Sequence, residues 1–199
     1  MSTVSADRKT QSTRIAKRPV IFTERLILEV CTENDAELVL KFYVDNLDHL
    51  SRWEPERSAE FYTIEHWQKT LQENRLLLLE GSAVKFVVFN KERTKVVGTC
   101  NFNNITRGVF QACHLGYAIA GRYQGQGYMY EAAKAGIEFM FNDMGMHRVM
   151  ANYMPANERS GVLLERLGFE KEGYARDYLK IAGEWEDHVL TALINPQPM

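Results

Sequence analysis

The chain has 199 residues, of which 45% are hydrophobic and 25% charged, enough for one core and too ordinary for global disorder. Its 24 basic and 26 acidic residues leave a net charge of −2, which argues against a dedicated nucleic-acid binder or specific DNA binding. The sequence has no bilayer-length apolar run, no signal-peptide segment and only three scattered cysteines. We therefore expect a cytoplasmic protein with no membrane contact and no metal site.

The first 19 residues differ from the rest. They are polar, and their five basic side chains against Asp7 give +4, which leaves −6 on residues 20–199. We interpret residues 1–19 as a basic tail with little intrinsic structure and residues 20–199 as one domain. A solvated extension and a contact with RNA or a neighbouring subunit both stay open for the tail.

From residue 20 onward the hydrophobic pattern alternates between strand and helix periods. The predicted strands cover residues 26–30, 84–89, 96–102, 112–120, 148–153 and two stretches of a hairpin within 169–194. The predicted helices cover residues 32–45, 63–79, 128–144 and 158–167. Residues 47–62 and 103–111 are expected to be irregular, and Trp67, Leu71 and Arg75 to share one helix face. This order predicts a single mixed α/β domain.

The most informative segment is Gly-Arg-Tyr-Gln-Gly-Gln-Gly at 121–127, between a predicted strand and a predicted helix. Glycines before a helix amino terminus let its unpaired N–H groups close around a phosphate. A P-loop is excluded because Tyr128 and Met129 stand where Lys and Ser/Thr are needed. A dinucleotide fingerprint is excluded because Tyr130 takes the place of its third glycine. Another kind of phosphate-binding turn and a plain glycine-rich turn both stay open.

The spacing Arg122-x-x-Gly125-x-Gly127 resembles the acetyl-CoA pyrophosphate turn of the Gcn5-related N-acetyltransferases (GNAT), whose pattern is Arg/Gln-x-x-Gly-x-Gly/Ala. About thirty residues later, Asn157-x-x-Ser160 followed by Leu-Gly-Phe matches the same family's next strand and helix. The resemblance covers roughly residues 20–194 and is strongest to the RimJ/RimL branch, the ribosomal-protein alanine N-acetyltransferases. Within that branch the RimJ group is most similar, in the runs at 53–55, 147–155 and 167–174.

The resemblance implies the GNAT fold, a mixed and largely antiparallel sheet flanked by helices and splayed between its fourth and fifth strands. The pantetheine arm of acetyl-CoA would lie in this splay, and a backbone N–H of the fourth strand would polarise the thioester carbonyl. For Asn157, a plain helix N-cap is the alternative to binding this arm. The residues implied to bind acetyl-CoA are Tyr117, Ala118, Ile119, Arg122, Gln124, Gly125, Gln126, Gly127, Tyr128 and Asn157.

The same resemblance implies direct transfer of the acetyl group to an amine. Many family members carry a Tyr acid where this chain has Leu164, which cannot donate a proton; in the RimJ/RimL branch the candidate donor is Ser160. The implied base is Asp177, acting through water, and a surface ion pair is its alternative role. Its rivals are Glu172, Glu186, Asp187 and His188.

A covalent acetyl-cysteine route is not expected. Cys113 and His114 are adjacent on a predicted strand, so their side chains point to opposite faces and cannot form a nucleophile–base pair.

The implied acceptor is the N-terminal alanine of the fifth protein of the small ribosomal subunit, and the subunit itself is a compatible partner. An α-amino group is roughly 10–15% neutral at pH 7, against about 0.04% for a lysine, so an N-terminus is the easier substrate. Another protein N-terminus, a small amine such as an antibiotic or polyamine, and a non-enzymatic role in ribosome assembly stay open, as do monomer and homodimer.

Overall fold

The computed structural model describes residues 18–197. Residues 1–17, which hold most of the predicted basic tail, lie outside the described residues, and so do residues 198–199. At the tail's described end, the Arg18 Nη2 atom lies 2.7 Å from Glu29 Oε1. The division into tail and domain at residue 19 stays a prediction.

Eight strands form one sheet in the order β1-β2-β3-β4-β5-β6-β8-β7. The strands are β1 (Val20–Phe22), β2 (Leu26–Glu29), β3 (Val84–Asn90), β4 (Val96–Thr106), β5 (Ala112–Ile119), β6 (Arg148–Tyr153), β7 (Glu170–Ile181) and β8 (Glu184–Ile194). The helices are α1 (Ala36–Asp45), α2 (Leu47–Leu50), α3 (Ile64–Glu80), α4 (Tyr128–Asn142) and α5 (Glu158–Arg166). All neighbouring strands pair antiparallel except β5 and β6. The predicted mixed, largely antiparallel sheet is confirmed.

The sheet buries both of its faces, because alternate residues of its central strands point to opposite sides. Phe86 and Phe102 pack with α4 in one core, and Gly136 of α4 allows this approach, since a Cβ there would lie 2.9 Å from the Phe102 ring. Phe89 packs on the other face with Phe42 of α1 and with α3. The helices thus cover both faces of the sheet, and the ends of its strands remain available for a functional site.

The sheet opens between β5 and β6. Their parallel pairing covers only Ala112, Cys113 and His114, opposite residues 148–150. Beyond that point β5 continues to Ile119 on β4, while β6 continues to Tyr153 on β8. The predicted splay is confirmed, and it lies between the fifth and sixth strands because β1 is an additional strand.

Several boundaries differ from the predictions. The strand β1 was not predicted, because its three residues form a half-exposed strand with no alternating signal. The connector at 47–62 contains the short helix α2 and a 3₁₀ turn at Ala59–Tyr62. The loop at 103–111 begins as strand, since β4 extends to Thr106.

In α3 the predicted face is correct at Trp67 and Leu71 and wrong at Arg75, which is exposed, whereas Leu78 is buried. The 3.6-residue period turns the helix so that the inward position after Leu71 is Leu78. Over residues 18–197, no helix combines the length and apolarity needed to cross a membrane. In the same part of the chain, no three His, Cys, Asp or Glu side chains cluster in a way that could hold a metal ion.

Candidate active site

A groove of about 790 Å³ runs through the splay. Its floor is β5 at residues 117–119, and the glycine turn at 121–127 closes one end. One wall comes from α2 and the residues after it, and the other comes from α5. The predicted residues that line it are Tyr117, Ala118, Ile119, Gln124, Gly125, Gly127, Tyr128, Asn157 and Ser160. Tertiary folding therefore brings segments from four parts of the chain to one cavity.

The turn presents a row of amides without acceptors. Gly125 has φ 72° and Gly127 has φ 77°, conformations that glycine adopts without steric cost. Among residues 18–197, no acceptor contacts the N–H groups of Gly125, Gln126 and Gly127. Gly127 is also the N-cap of α4, and it has no side chain to satisfy the helix's first amides. This arrangement fits a pyrophosphate, which supplies the acceptor oxygens and meets the positive end of the helix dipole.

Neighbouring elements fix the turn. Asn46, which follows α1, accepts a hydrogen bond from the Gly121 N–H through Oδ1 at 3.0 Å, and its Nδ2 donates to the Phe42 carbonyl at 2.8 Å. Arg25 donates from Nη1 to the Gln126 carbonyl at 3.0 Å, and its Nε lies 2.7 Å from Glu131 of α4. The arginine thus joins the turn to the helix that follows it.

Three polar side chains connect the two walls of the groove. Arg159 of α5 donates from Nη1 to Gln124 Oε1 at 2.5 Å, and Gln124 Nε2 lies 3.1 Å from His49 Nε2 of α2. Arg122 and Gln126 are both exposed, and these two residues do not form part of the groove lining.

A pair of hydroxyls lies farther along the groove, away from the turn. The Tyr117 hydroxyl oxygen is 2.6 Å from Ser160 Oγ. Burial raises the pKa of Tyr117 to about 12, and the hydrogen bond with Ser160 opposes that rise. Both groups keep their protons at neutral pH and can donate hydrogen bonds. The Tyr117 side chain was not predicted, because the sequence indicated only its backbone.

Asn157 lies at the start of the α5 wall, whereas Leu164 of α5 is not among the residues that line the groove. Asn157 Oδ1 accepts from the Ser160 N–H at 3.2 Å, so it is a helix N-cap. No acceptor within the described chain contacts its Nδ2, so this group can still donate to a ligand. Leu164 is buried in the core.

Asp177 does not lie with these residues. It is exposed, and it stands in β7 where the pairing with β8 shifts register, with φ 47°. Its N–H donates to Asp187 Oδ1 at 2.9 Å. None of the ion pairs within residues 18–197 involves Asp177, so the alternative pairing with Arg176 or Lys180 is not formed.

The rival bases already have partners or do not line the groove. Glu172 accepts two hydrogen bonds from Arg148, at 2.8 and 2.7 Å. Asp187 accepts from the Tyr174 hydroxyl at 2.7 Å, which helps hold its pKa below the usual range. His188 is buried, with Nδ1 2.9 Å from the Glu186 carbonyl. Neither Glu186 nor any of the others lines the groove.

Cys113 is buried, and burial raises the pKa of its thiol to about 12. A thiol in this environment is protonated at neutral pH and is a poor nucleophile. The chain's other two cysteines, Cys31 and Cys100, are buried as well.

Comparison with known proteins agrees with this geometry. Residues 25–170 match the Acetyltransferase (GNAT) domain family. The chain is 46% identical over 174 residues to the [Ribosomal protein uS5]-alanine N-acetyltransferase of Escherichia coli strain K12, covering 87% of this chain and 90% of that protein.

Solved structures give the same result. The ribosomal-protein-S5-alanine acetyltransferase of Vibrio fischeri has a TM-score of 0.86 and 40% identity, covering 90% of this chain and 100% of that one. Mycobacterium smegmatis RimJ in complex with CoA-disulfide has a TM-score of 0.81 and 26% identity, covering 86% and 84%. This chain belongs to the GNAT acetyltransferase family and is an acyltransferase that uses acetyl-CoA.

Proposed function

We propose that this protein acetylates the α-amino group of the N-terminal alanine of ribosomal protein uS5. The observation that carries the proposal is the 46% identity to the E. coli uS5-alanine enzyme, which extends over 87% of the chain. A location in the cytoplasm and contact with the small ribosomal subunit would follow from this acceptor.

In this proposal the turn at 121–127 and the start of α4 hold the pyrophosphate of acetyl-CoA. The amides of Gly125, Gln126 and Gly127 would donate to its oxygens, with Tyr128 beside them. Backbone groups of residues 117–119 would hold the pantetheine arm, and the Asn157 amide would donate to it from the α5 wall. The lack of other acceptors for the turn amides within residues 18–197, and the position of Gly125 and Gly127 at one end of the groove, support this assignment.

Ser160 and Tyr117 would act together on the departing sulfur. If the Tyr117 hydroxyl donates to Ser160 Oγ, the Ser160 proton is left to point into the groove. A phenol with a pKa of about 12 does not give its proton fully to a thiolate whose thiol has a pKa near 8.5. The pair would therefore stabilise the developing thiolate by hydrogen bonding, and the first-turn position of Ser160 adds the helix dipole.

The role of Asp177 as the base stays a prediction. Its exposed position on β7 would require at least one intervening water between its carboxylate and the amine.

A polyamine acceptor is less compatible with the groove. Such a substrate needs several carboxylates, whereas the charged residues lining the groove are two acids, Glu54 and Glu158, and three basic or titratable side chains, His49, Arg159 and Arg166. An uncharged small amine or another protein N-terminus remains as an outcome of the test.

The test is mass spectrometry of reactions with acetyl-CoA and matched peptides that begin with Ala, Met or Ser, or that carry a lysine behind a blocked N-terminus. We expect acetylation at the α-amine of the Ala peptide with the uS5 sequence, at a rate well above the others. Equal rates on all peptides, or modification of the lysine alone, would contradict the proposed acceptor.

A further inference from the structure

Glu54 is a partly buried carboxylate at the groove whose role the mechanism above leaves open. It lines the acetyl-CoA groove and also an adjoining cavity of about 520 Å³, so it stands between the two. Its side chain is 18% exposed. The other acid of the groove wall, Glu158, is exposed in the first turn of α5. Within residues 18–197, Glu54 is thus the sheltered carboxylate of this groove.

Contacts from two elements hold Glu54 in place. Its carbonyl accepts a hydrogen bond from the N–H of Ala182, at the tip of the β7–β8 hairpin, at 3.0 Å. Its Oε2 lies 3.1 Å from Arg57 Nη2, and the Arg57 guanidinium stacks 4.5 Å from the ring centre of Phe61. No donor of the described chain contacts Oε1. One carboxylate oxygen therefore anchors the side chain, and the other can accept a hydrogen bond from a ligand.

Glu54 lies on the opposite side of the splay from the hydroxyl pair. Its charge acts on the buried phenol of Tyr43, whose pKa is raised by burial and further by Glu54. Tyr43 packs in the core that includes Ala118, whereas Tyr117 packs in the core on the other sheet face. A thioester held along residues 117–119 would thus have Glu54 on one side and the Tyr117–Ser160 pair on the other.

We propose that Glu54 binds the α-ammonium group of the acceptor at Oε1 and receives its proton; this inference rests on the proposed function. The amine nitrogen then forms the C–N bond as the C–S bond breaks, and the sulfur leaves toward Tyr117 and Ser160. Of the two protons that the nitrogen loses, one passes to Glu54 and on to solvent, and the other ends on the sulfur of CoA.

Within residues 18–197, the contacts of Glu54 leave its Oε1 atom available to a cationic ligand. The charged or titratable groups around it are Arg57 from its own segment, Tyr43 from α1, His49 on the same wall and Tyr117 across the groove. Arg52, Glu56 and Tyr62 line the adjoining cavity with it. The hairpin contributes the N–H of Ala182, which donates to the Glu54 carbonyl. Asp177, unlike Glu54, does not line the groove and is exposed to solvent. An ammonium group bound to Asp177 would stay in contact with water, where a single ion pair contributes little to binding.

The test compares Glu54→Gln with Glu56→Gln and Asp177→Asn on the uS5-sequence Ala peptide between pH 6.5 and 9. Glu56 is a matched control, because it is exposed two residues away and lines only the adjoining cavity. We expect Glu54→Gln to reduce kcat/KM about 100-fold at pH 7 with unchanged CoA affinity. The defect should shrink about tenfold by pH 9, where most of the amine is already neutral. Glu56→Gln should retain full activity.

Three other results would each contradict the inference. A pH-independent loss in Glu54→Gln, or a loss matched by weaker CoA binding, indicates a structural role and overturns the inference. A pH-dependent loss in Asp177→Asn alone assigns the base to Asp177 and also overturns it. If the unmodified protein does not acetylate the peptide at all, the proposed acceptor is wrong, and the ammonium site on Glu54 is wrong with it.

Discussion

The hydroxyl oxygen of Tyr117 lies 2.6 Å from Ser160 Oγ, although the two residues are 43 positions apart. Tyr117 is on β5 and Ser160 is in the first turn of α5, so the hydrogen bond spans the two sides of the splay. A thioester in this splay would lie beside the two hydroxyls. The Tyr117–Ser160 hydrogen bond should therefore control the departure of the thiolate and not the binding of CoA.

We expect Tyr117→Phe and Ser160→Ala each to lower kcat by about 10- to 100-fold, since Ser160 donates to the developing charge and Tyr117 donates to Ser160 Oγ in the proposed arrangement. The double variant should be little worse than the more severe single variant, because the hydroxyls act as a unit. Steady-state kinetics and CoA calorimetry provide the measurement. Tyr123→Phe, which changes another tyrosine of the groove wall, is the control. Additive losses would contradict joint action.

The effect of the glycine turn on stability can be measured separately from its effect on CoA binding. Gly125→Ala places a side chain at φ 72° with nothing within 4 Å of the new Cβ, so its cost is backbone strain of about 1–2 kcal/mol. Gly108→Ala has the same strain at φ 75°, also in open space, but lies in the β4–β5 loop. We expect similar losses of thermal stability, and about tenfold weaker CoA binding for Gly125→Ala only. Equal CoA affinities would contradict the proposed position of the phosphates beside Gly125.

The pair of Arg25 and Glu131 should make stability depend on pH. Burial acts to raise the pKa of Glu131, but hydrogen bonds from Thr23 and Arg25 prevail and lower it. Because the pKa of Glu131 is lower in the folded chain, its ionised form stabilises the fold at pH values above the unfolded-chain pKa of about 4.3. This stabilisation is lost as the pH falls through the pKa of Glu131 in the folded chain.

We therefore expect Glu131→Gln to lower the free energy of unfolding by about 1 kcal/mol at pH 7 and by much less at pH 3. Urea unfolding at both pH values measures this difference. Glu138→Gln, an exposed change on the same helix, should have little effect at either pH. An equal loss for Glu131→Gln at pH 3 and pH 7 would show that its charge is not responsible.

Direct transfer predicts that no cysteine is acetylated. Cys113→Ala should retain kcat within about threefold, because the buried thiol is protonated at neutral pH. Mass spectrometry of protein mixed with acetyl-CoA and no acceptor should find no acetyl-protein. An acetylated Cys113, or a variant without activity but with normal folding and CoA affinity, would instead support a covalent route.

Periodicity and turn chemistry predicted most of the regular structure. The strand at 148–153 was predicted with its observed bounds, and the glycine turn was placed correctly between strand and helix. The strand Val20–Phe22 was missed, since three half-exposed residues carry no periodic signal. The register shift that holds Asp177 at the surface was missed as well, because it depends on pairing with β8.

Local sequence was sufficient for the glycine turn and the helix that follows it, since these depend on residues a few positions apart. The family resemblance rests on several short motifs of this kind, two of them about thirty residues apart. The contact of Tyr117 with Ser160, the shelter of Glu54 between two cavities and the clamp of Arg25 on the turn depend on which strands separate and which helices face each other. Those relationships join residues from about 40 to more than 100 positions apart, as in the pairs Tyr117–Ser160 and Arg25–Gln126. Packing of the whole core sets them, and no local pattern in the chain encodes that packing.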